Sequence, residues 1–307
     1  MRFGLVMNKF NFISGEWTEP DFYSNILPNI PSIAVQKSSV IPIINLKNNK
    51  YWDSLCIAND IEIAFIDRLS WYITDELFFE YISNISKVGF KYLVVFDDLF
   101  NQEKPGQYNE SEFIQKAVQR TNIIYKSIKN NKNTQLISPS VLPTEPFKEL
   151  SLDYFAATRN VFDIWSVKIL ENITELYLAN LLSSISSVLN ILKKPLWITK
   201  FAIPSCSHLI NNNVNWENIS HSLASSQILQ IFKTIESLTQ NTKWFYLASY
   251  KDVYSPTFVP DLFWNPNAFH PQYSKSWEKQ DFLGLCDYNK NIKQQILSSI
   301  RILAENG

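Results

Sequence analysis

The chain has 307 residues, of which 46% are hydrophobic and 14% aromatic, and its formal net charge is −1. That is apolar mass for one large α/β barrel or two medium domains, and it argues against a disordered chain. The balanced charge, without Lys and Arg clustered among aromatics, argues against a nucleic-acid surface, and with 6 glycines and neither GxGxxG nor GxxxxGK[ST], glycine-rich phosphate loops are excluded.

Short apolar runs alternate with longer helical patterns along the chain, the signature of βαβ units and a parallel sheet. The expected strands, in order, are Phe3–Met7, Val40–Leu46, Ile61–Leu69, Tyr92–Phe96, Thr134–Ser138, Phe162–Val167, Leu196–Ala202 and Trp244–Ser249. They are nearly continuous in apolar residues, as strands buried on both faces should be. Between the first two, residues 8–39 carry three prolines and no helical period, so the first βα unit reads as irregular. Residues Glu110–Asn130 place Phe113, Ala117, Ile124 and Ile128 at helical spacing, with Asn109 and Glu112 as a capping-box-like start. Thr174–Lys194 repeats the period until Pro195, Ser220–Thr239 carries it through Leu223, Ile228, Ile231, Ile235 and Leu238, and a last helix covers about 291–304. After the eighth strand, Ser255–Asp281 forms a long loop with Trp264, Phe269, His270, Tyr273 and Trp277. It reads either as a binding loop or as a plug for the barrel mouth. No linker divides the chain. The fold expected is α/β: a single (β/α)8 TIM barrel over residues 1–307, with an irregular N-terminal quarter and a long aromatic loop after strand eight.

Cys56, Cys206 and Cys286 are far apart and odd in number, which fits a reducing compartment better than a disulfide framework. His208, His221 and His270 form no metal-ligand spacing, so no metal and no cofactor is expected. The N-terminal stretch lacks a signal-peptide pattern, and no apolar run reaches the roughly 20 residues of a membrane span. The expectation is a cytoplasmic protein without membrane or nucleic-acid partners.

In barrels of this type chemistry sits at the C-terminal ends of the strands. Those positions hold Arg68 and Trp71 after strand three, and Asp97, Asp98 and Gln102 after strand four. Strand six offers Trp165 and Lys168, strand seven Lys200, and strand eight Tyr246, Tyr250, Lys251 and Asp252. Aromatic planes beside hydrogen-bonding groups suit sugar rings, whose CH faces stack while their hydroxyls need polar partners.

Several of these segments resemble retaining glycoside hydrolases of the barrel clan that includes β-xylosidases, α-iduronidases and endoglycanases. KYLVVFDDLFNQ, with the long helix and ISPSV that follow, resembles the fourth and fifth strands. VFDIWSVKIL resembles the sixth, KKPLWITKFAIP the seventh, and KWFYLASYKD with FLGLCDYNKN the closing strand; the likeness spans roughly residues 60–305. It implies a carbohydrate-active barrel with a small-molecule or glycan ligand in its mouth. Such enzymes use two carboxyls about 5–5.5 Å apart. Here the Asn-Glu pair of the fourth strand falls on Asn101-Gln102, or in a shifted register on Asp97 or Asp98. The nucleophile of the WITEF pattern is Lys200, and the sixth-strand His is Lys168. A protonated lysine cannot form a glycosyl ester.

Asp97, Asp98 and Lys200 are therefore the candidate catalytic residues. Arg68, Trp71, Gln102, Trp165, Lys168, Tyr246, Tyr250 and Asp252 are the candidate substrate-binding residues. One Asp of the pair could instead cap a turn. Lys200 could pair with Asp97 or Asp98, hold an anionic group, or form a Schiff base. The Trp and Tyr rings could equally be core. Two functions stay open: a repurposed enzyme acting on a sugar-containing or anionic small substrate, or an inactive barrel that binds a glycan or a protein partner.

Overall fold

The computed structural model describes residues 3–11, 16–17, 34–41, 43, 49–58, 60–96, 99, 110–129, 133–140, 148–169, 179–180, 183, 185–187, 194–203, 205, 220–238, 243–247, 249–251, 284–286 and 291–306. The backbone alone is described for Phe3–Ser39, Asn49, Tyr51, Trp52, Arg68, Glu110, Lys148–Ser151, Lys200, Leu238, Lys243–Cys286, Ala304 and Asn306 within those ranges.

The main sheet is built from β1 (Phe3–Asn11), β3 (Ala34–Ile41), β4 (Ile63–Ile66), β5 (Tyr92–Val94), β6 (Gln135–Ile137), β7 (Trp165–Ile169), β8 (Leu196–Phe201) and β9 (Lys243–Leu247). Their order is β6-β5-β4-β3-β1-β9-β8-β7, and every neighbouring pair on this path is parallel. β2 (Glu16–Trp17) lies off the path and folds back antiparallel on β1, pairing Phe10 with Trp17. β1 therefore runs past the Met7 expected from the sequence and ends in a hairpin. A small second sheet pairs β10 (Ser249–Lys251) with β11 (Gly284–Cys286).

The two ends of the path approach each other at a parallel bridge between Ile137 and Ile164. The junction is reinforced by Ser138 N–H donating to Ile164 O at 2.9 Å, and by Asp163 and Ile164 N–H both donating to Leu136 O. Side chains complete it: the Asp163 carboxylate accepts from Leu136 N–H at 2.8 Å, and the Ser138 hydroxyl accepts from Ser166 N–H at 2.8 Å.

The alternation of side chains along the strands sorts them onto two faces. Val40, Ile63, Phe65, Tyr92, Val94, Ile137, Ile164 and Trp197 make one apolar cluster, turned away from the helices. Ala64, Ile66, Leu93, Val95, Leu136, Trp165, Val167, Ile198 and Phe201 join a larger one with the helices. This is why the strands read as unbroken apolar runs.

Helices α1 (Asn49–Ala58), α2 (Asp75–Ile85), α3 (Glu110–Ile128), α4 (Lys148–Thr158), α5 (His221–Leu238) and α6 (Gln294–Asn306) supply the outer layer. α2 begins where the Thr74 hydroxyl accepts from Leu77 N–H and Asp75 and Glu76 occupy the positive first turn. It buries Phe78, Tyr81, Ile82 and Ile85 on one face. α5 starts in the same way, with Leu223 N–H donating to Ser220 Oγ at 3.1 Å. Of the expected Thr174–Lys194 helix, residues 179–180, 183 and 185–187 are helical, and the rest lies outside the described residues.

Of the boundaries that differ from the sequence expectation, two belong to the second and third strands. The second strand is Ala34–Ile41 and not Val40–Leu46. Val40 and Ile41 of the expected segment end it, Ile43 stands in a bend, and residues 42 and 44–46 lie outside the described residues, while the more polar AVQKSSVI pairs with β1 and β4. The third strand stops at Ile66. Asp67 ends it: its Oδ1 accepts from Leu69 N–H at 2.9 Å and caps a 3-10 turn over Arg68–Tyr72, while Oδ2 accepts from Ile43 N–H at 3.3 Å.

Candidate functional site

Three strands bring hydroxyls together in the interior. Ser140 follows β6, Ser166 lies in β7 and Thr199 in β8, and all three are buried. Ser140 Oγ lies 2.8 Å from both Ser166 Oγ and Thr199 Oγ1, and Ser166 and Thr199 also bond directly. A hydroxyl gives one hydrogen and accepts others, so a triangle of three can satisfy itself without water. Nothing local in the sequence pairs residues at 140, 166 and 199. The signal available was a hydroxyl residue inside each of three apolar runs, ISPSV, IWSVK and WITKF, since a buried hydroxyl requires a partner.

Thr199 occupies a bulge. The β7–β8 ladder pairs Val167 with Ile198 and then Lys168 with Lys200, leaving Thr199 as the extra residue. The β8–β9 ladder slips in the same stretch, between Ile198 and Phe201. The hydroxyl triangle thus anchors the bulge through the Thr199 side chain, and the bulge decides which residue of β8 stands opposite Lys168. Lys168 lies on the Ser166 side of β7, nearer the C-terminal end, and is 2% exposed.

The strand before Asp97 ends in a strained turn. Phe96 adopts φ 49°, a left-handed conformation costly for a bulky side chain. Its ring is held by Phe78 at 5.8 Å and by Trp71 at 5.3 Å. Packing therefore compels the chain to turn directly before the two aspartates.

The 3-10 turn after β4 is locked from outside. Arg120 of α3 is buried and donates to the carbonyls of Ser70 and Ile73 and to Asp75 Oδ1 at 3.1 Å. Its guanidinium lies 4.5 Å from the Phe78 ring. Tyr81 ties the neighbouring strand ends, accepting from Asp67 N–H at 2.9 Å and donating to Ile41 O at 2.5 Å. Burial pushes its phenol far up, so it stays protonated.

The sequence candidates fall into three groups. Trp71 and Trp165 are buried in the helix-facing core and present no face to a ligand. Trp71 packs against Phe96 and Phe113, with Lys116 Nζ 4.8 Å from its ring. Trp165 meets Phe155 edge-on at 4.4 Å and Phe162 at 5.2 Å. Lys168 and Lys200 are brought side by side in the ladder. Arg68 lies in the 3-10 turn, Tyr246 in β9 and Tyr250 in β10, each placed by backbone alone. Asp97, Asp98, Gln102, Asp252 and the Ser255–Asp281 loop lie outside the described residues. Among the described residues no group of three or more His, Cys, Asp or Glu could hold a metal ion, and no helix is long and apolar enough to cross a membrane.

Neither a family model nor a curated protein matches the chain. Solved structures do. A GH5_18 protein of Bifidobacterium longum subsp. longum, solved with Manβ1-4GlcNAc, aligns with a TM-score of 0.60 at 14% identity, over 100% of this chain and 78% of that one. Xylanase B of Clostridium stercorarium aligns at 0.56 and 11% identity, over 98% and 96% of the two chains. An exo-β-1,4-mannosidase of an Opitutaceae bacterium aligns at 0.57 and 10% identity, over 100% of this chain and 59% of that one. At these identities the likeness shows a glycoside-hydrolase-like barrel fold.

Proposed function

We propose that residues 1–307 form one glycoside-hydrolase-like (β/α)8 barrel whose C-terminal mouth takes a sugar-containing substrate, with the usual glutamate pair replaced. What supports this most directly is the strand order, eight parallel strands whose ends meet at Ile137 and Ile164, together with lysine at the seat where WITEF-type strands carry the nucleophile. Without a carboxylate there, a glycosyl-enzyme ester has no attachment point. Acid/base work then falls to Asp97 or Asp98, presented just past the strained turn at Phe96. Arg68, Gln102, Tyr246, Tyr250 and Asp252 would contact the sugar from neighbouring strand ends, and Lys168 and Lys200 would hold it in place.

The strain at Phe96 favours an enzyme over an inert scaffold, because strain of this kind collects where a site needs pre-organised groups. The test is a panel of sugars and aryl glycosides assayed for binding and for product release. The expected outcome is turnover that Asp98→Asn or Asp97→Asn lowers by about 10²–10⁴-fold, with sugar affinity kept. A sugar that binds and is never turned over by the wild-type chain would assign the barrel to the binding class.

A further inference from the structure

We propose that the 3-10 turn Arg68–Tyr72 and the outer face of α2 form a docking surface for a basic, amphipathic segment of a protein partner. This is independent of whether the barrel turns over a sugar. Of the seven large apolar side chains exposed among the described residues, four lie between Leu69 and Phe79. They are Leu69, Tyr72, Leu77 and Phe79, from 48% exposed at Leu77 to 60% at Leu69. Single exposed apolar residues are ordinary, whereas several gathered in one short stretch mark an interaction surface. Leu69 and Tyr72 stand three apart in the 3-10 turn, a spacing at which side chains eclipse, so they share one side of it.

Charge selects the occupant. Helix α2 carries Asp75, Glu76 and Glu80 and no basic residue. Asp75 is engaged by Arg120 and Gln119. Glu76 shares the first turn, which the positive end of the helix favours, but Glu80 lies a turn further on, where that field has faded. The helical period sets the two exposed glutamates between Leu77 on one flank and Phe79 on the other. Together the four cover an arc of about 160° opposite the buried Phe78, Tyr81, Ile82 and Ile85. Like charges at i and i+4 repel, so a cation seated over this ridge is favoured. A second copy placed face to face would set the glutamates against themselves. An anionic lipid or nucleic-acid surface would be repelled. The chemistry that fits is a protein segment with Lys or Arg beside apolar side chains. The surface is also fixed before any encounter. Asp67 caps the turn, Arg120 grips the Ser70 and Ile73 carbonyls, and Trp71 is wedged against Phe96 and Phe113. Binding to a rigid patch spends little on ordering it.

The experiment titrates two fluorescein-labelled model helices of about 18 residues against the full chain and reads their anisotropy. Both carry leucine along one face; the other face is lysine in one and glutamate in the other. The titration is repeated on Phe79→Ser, Leu77→Ser and Glu80→Lys, with Ile57→Ser on α1 as the control, because Ile57 is exposed on a different helix. Each variant is checked for folding by circular dichroism. The lysine helix should bind and the glutamate helix should not. Phe79→Ser and Leu77→Ser should each weaken binding by about tenfold, as loss of an interface anchor does. Glu80→Lys should weaken it by about tenfold at low salt and by less at high salt. Ile57→Ser should leave it unchanged. Should Phe79→Ser fail to fold, Leu77→Ser decides. Lysine-helix binding that none of the α2 changes moves, an equal loss in Ile57→Ser, or no binding by either helix would overturn the proposal. So would a dimer in sedimentation velocity that Phe79→Ser dissolves, which assigns the face to a second copy. Binding to phosphatidylglycerol vesicles that Phe79→Ser abolishes would assign it to lipid and overturn the proposal equally.

Discussion

Arg120 shows what one side chain can hold. It is buried, yet its guanidinium answers two carbonyls of the turn after β4 and the half-exposed carboxylate of Asp75. Arg120→Met keeps the stem and loses all three, leaving the Ser70 and Ile73 carbonyls without that donor. We expect a loss of about 3 kcal/mol in urea unfolding, the usual cost of breaking a buried charged contact. Asp75→Asn should cost under about 1 kcal/mol, since that pair is half in water. Trp165 offers a second contrast. Its indole N–H has no acceptor among the described residues. Trp165→Phe should therefore cost much less than Trp165→Ala, for which emptying the site predicts about 3–5 kcal/mol. Cys56 offers a third: burial, aided by the charge of Asp53, pushes its thiol up to about 12. The protonated form is thus favoured by folding, a contribution fully present below the ordinary thiol range and lost as pH rises toward 12. At pH 8 Cys56 should resist alkylation in the native chain and react once unfolded, as peptide mass mapping would show.

At the scale of elements, the strands buried on both faces were legible because hydrophobic continuity is their physical requirement. β5, β6 and β8 lie within the expected segments, and β7 starts inside its expected segment and runs two residues past its end. β3 was misread because its pairing partners, not its own composition, decide its position: β1 and β4 both engage Ser38 and Ser39. α2 was passed over although its Thr74 cap and acidic first turn stand in the sequence. Of the candidate site, Lys168 and Lys200 could be named as strand-end residues, but their adjacency could not, because a one-residue bulge changes which residues face each other. The same bulge gives a prediction. Thr199→Val keeps the shape and removes the hydroxyl that two serines share, so it should cost about 1–3 kcal/mol. Thr199→Ser, which keeps the hydroxyl, should recover most of that in the same unfolding measurement.

At the scale of the whole molecule, a barrel's stability is spread over many strand pairs, but the pairs here are not equal. Most are joined by unbroken ladders, such as β3 on β4, paired without a break from Ser38–Ile63 to Ile41–Ile66. β6 and β7 meet at the single bridge of Ile137 and Ile164, helped by one carboxylate and one hydroxyl standing in for backbone groups. A sheet path whose ends share one thin joint opens there first. Amide hydrogens of Leu136, Ser138 and Ser166 should exchange with deuterium ahead of those in β4 and β5, which hydrogen-exchange mass spectrometry can time. Ser138 also adjoins the Thr199 bulge through Ser166. Opening at this joint would loosen β6 and β7 and leave β4 and β5 closed, so the slowest-exchanging strands would be those tied to their neighbours by backbone ladders throughout.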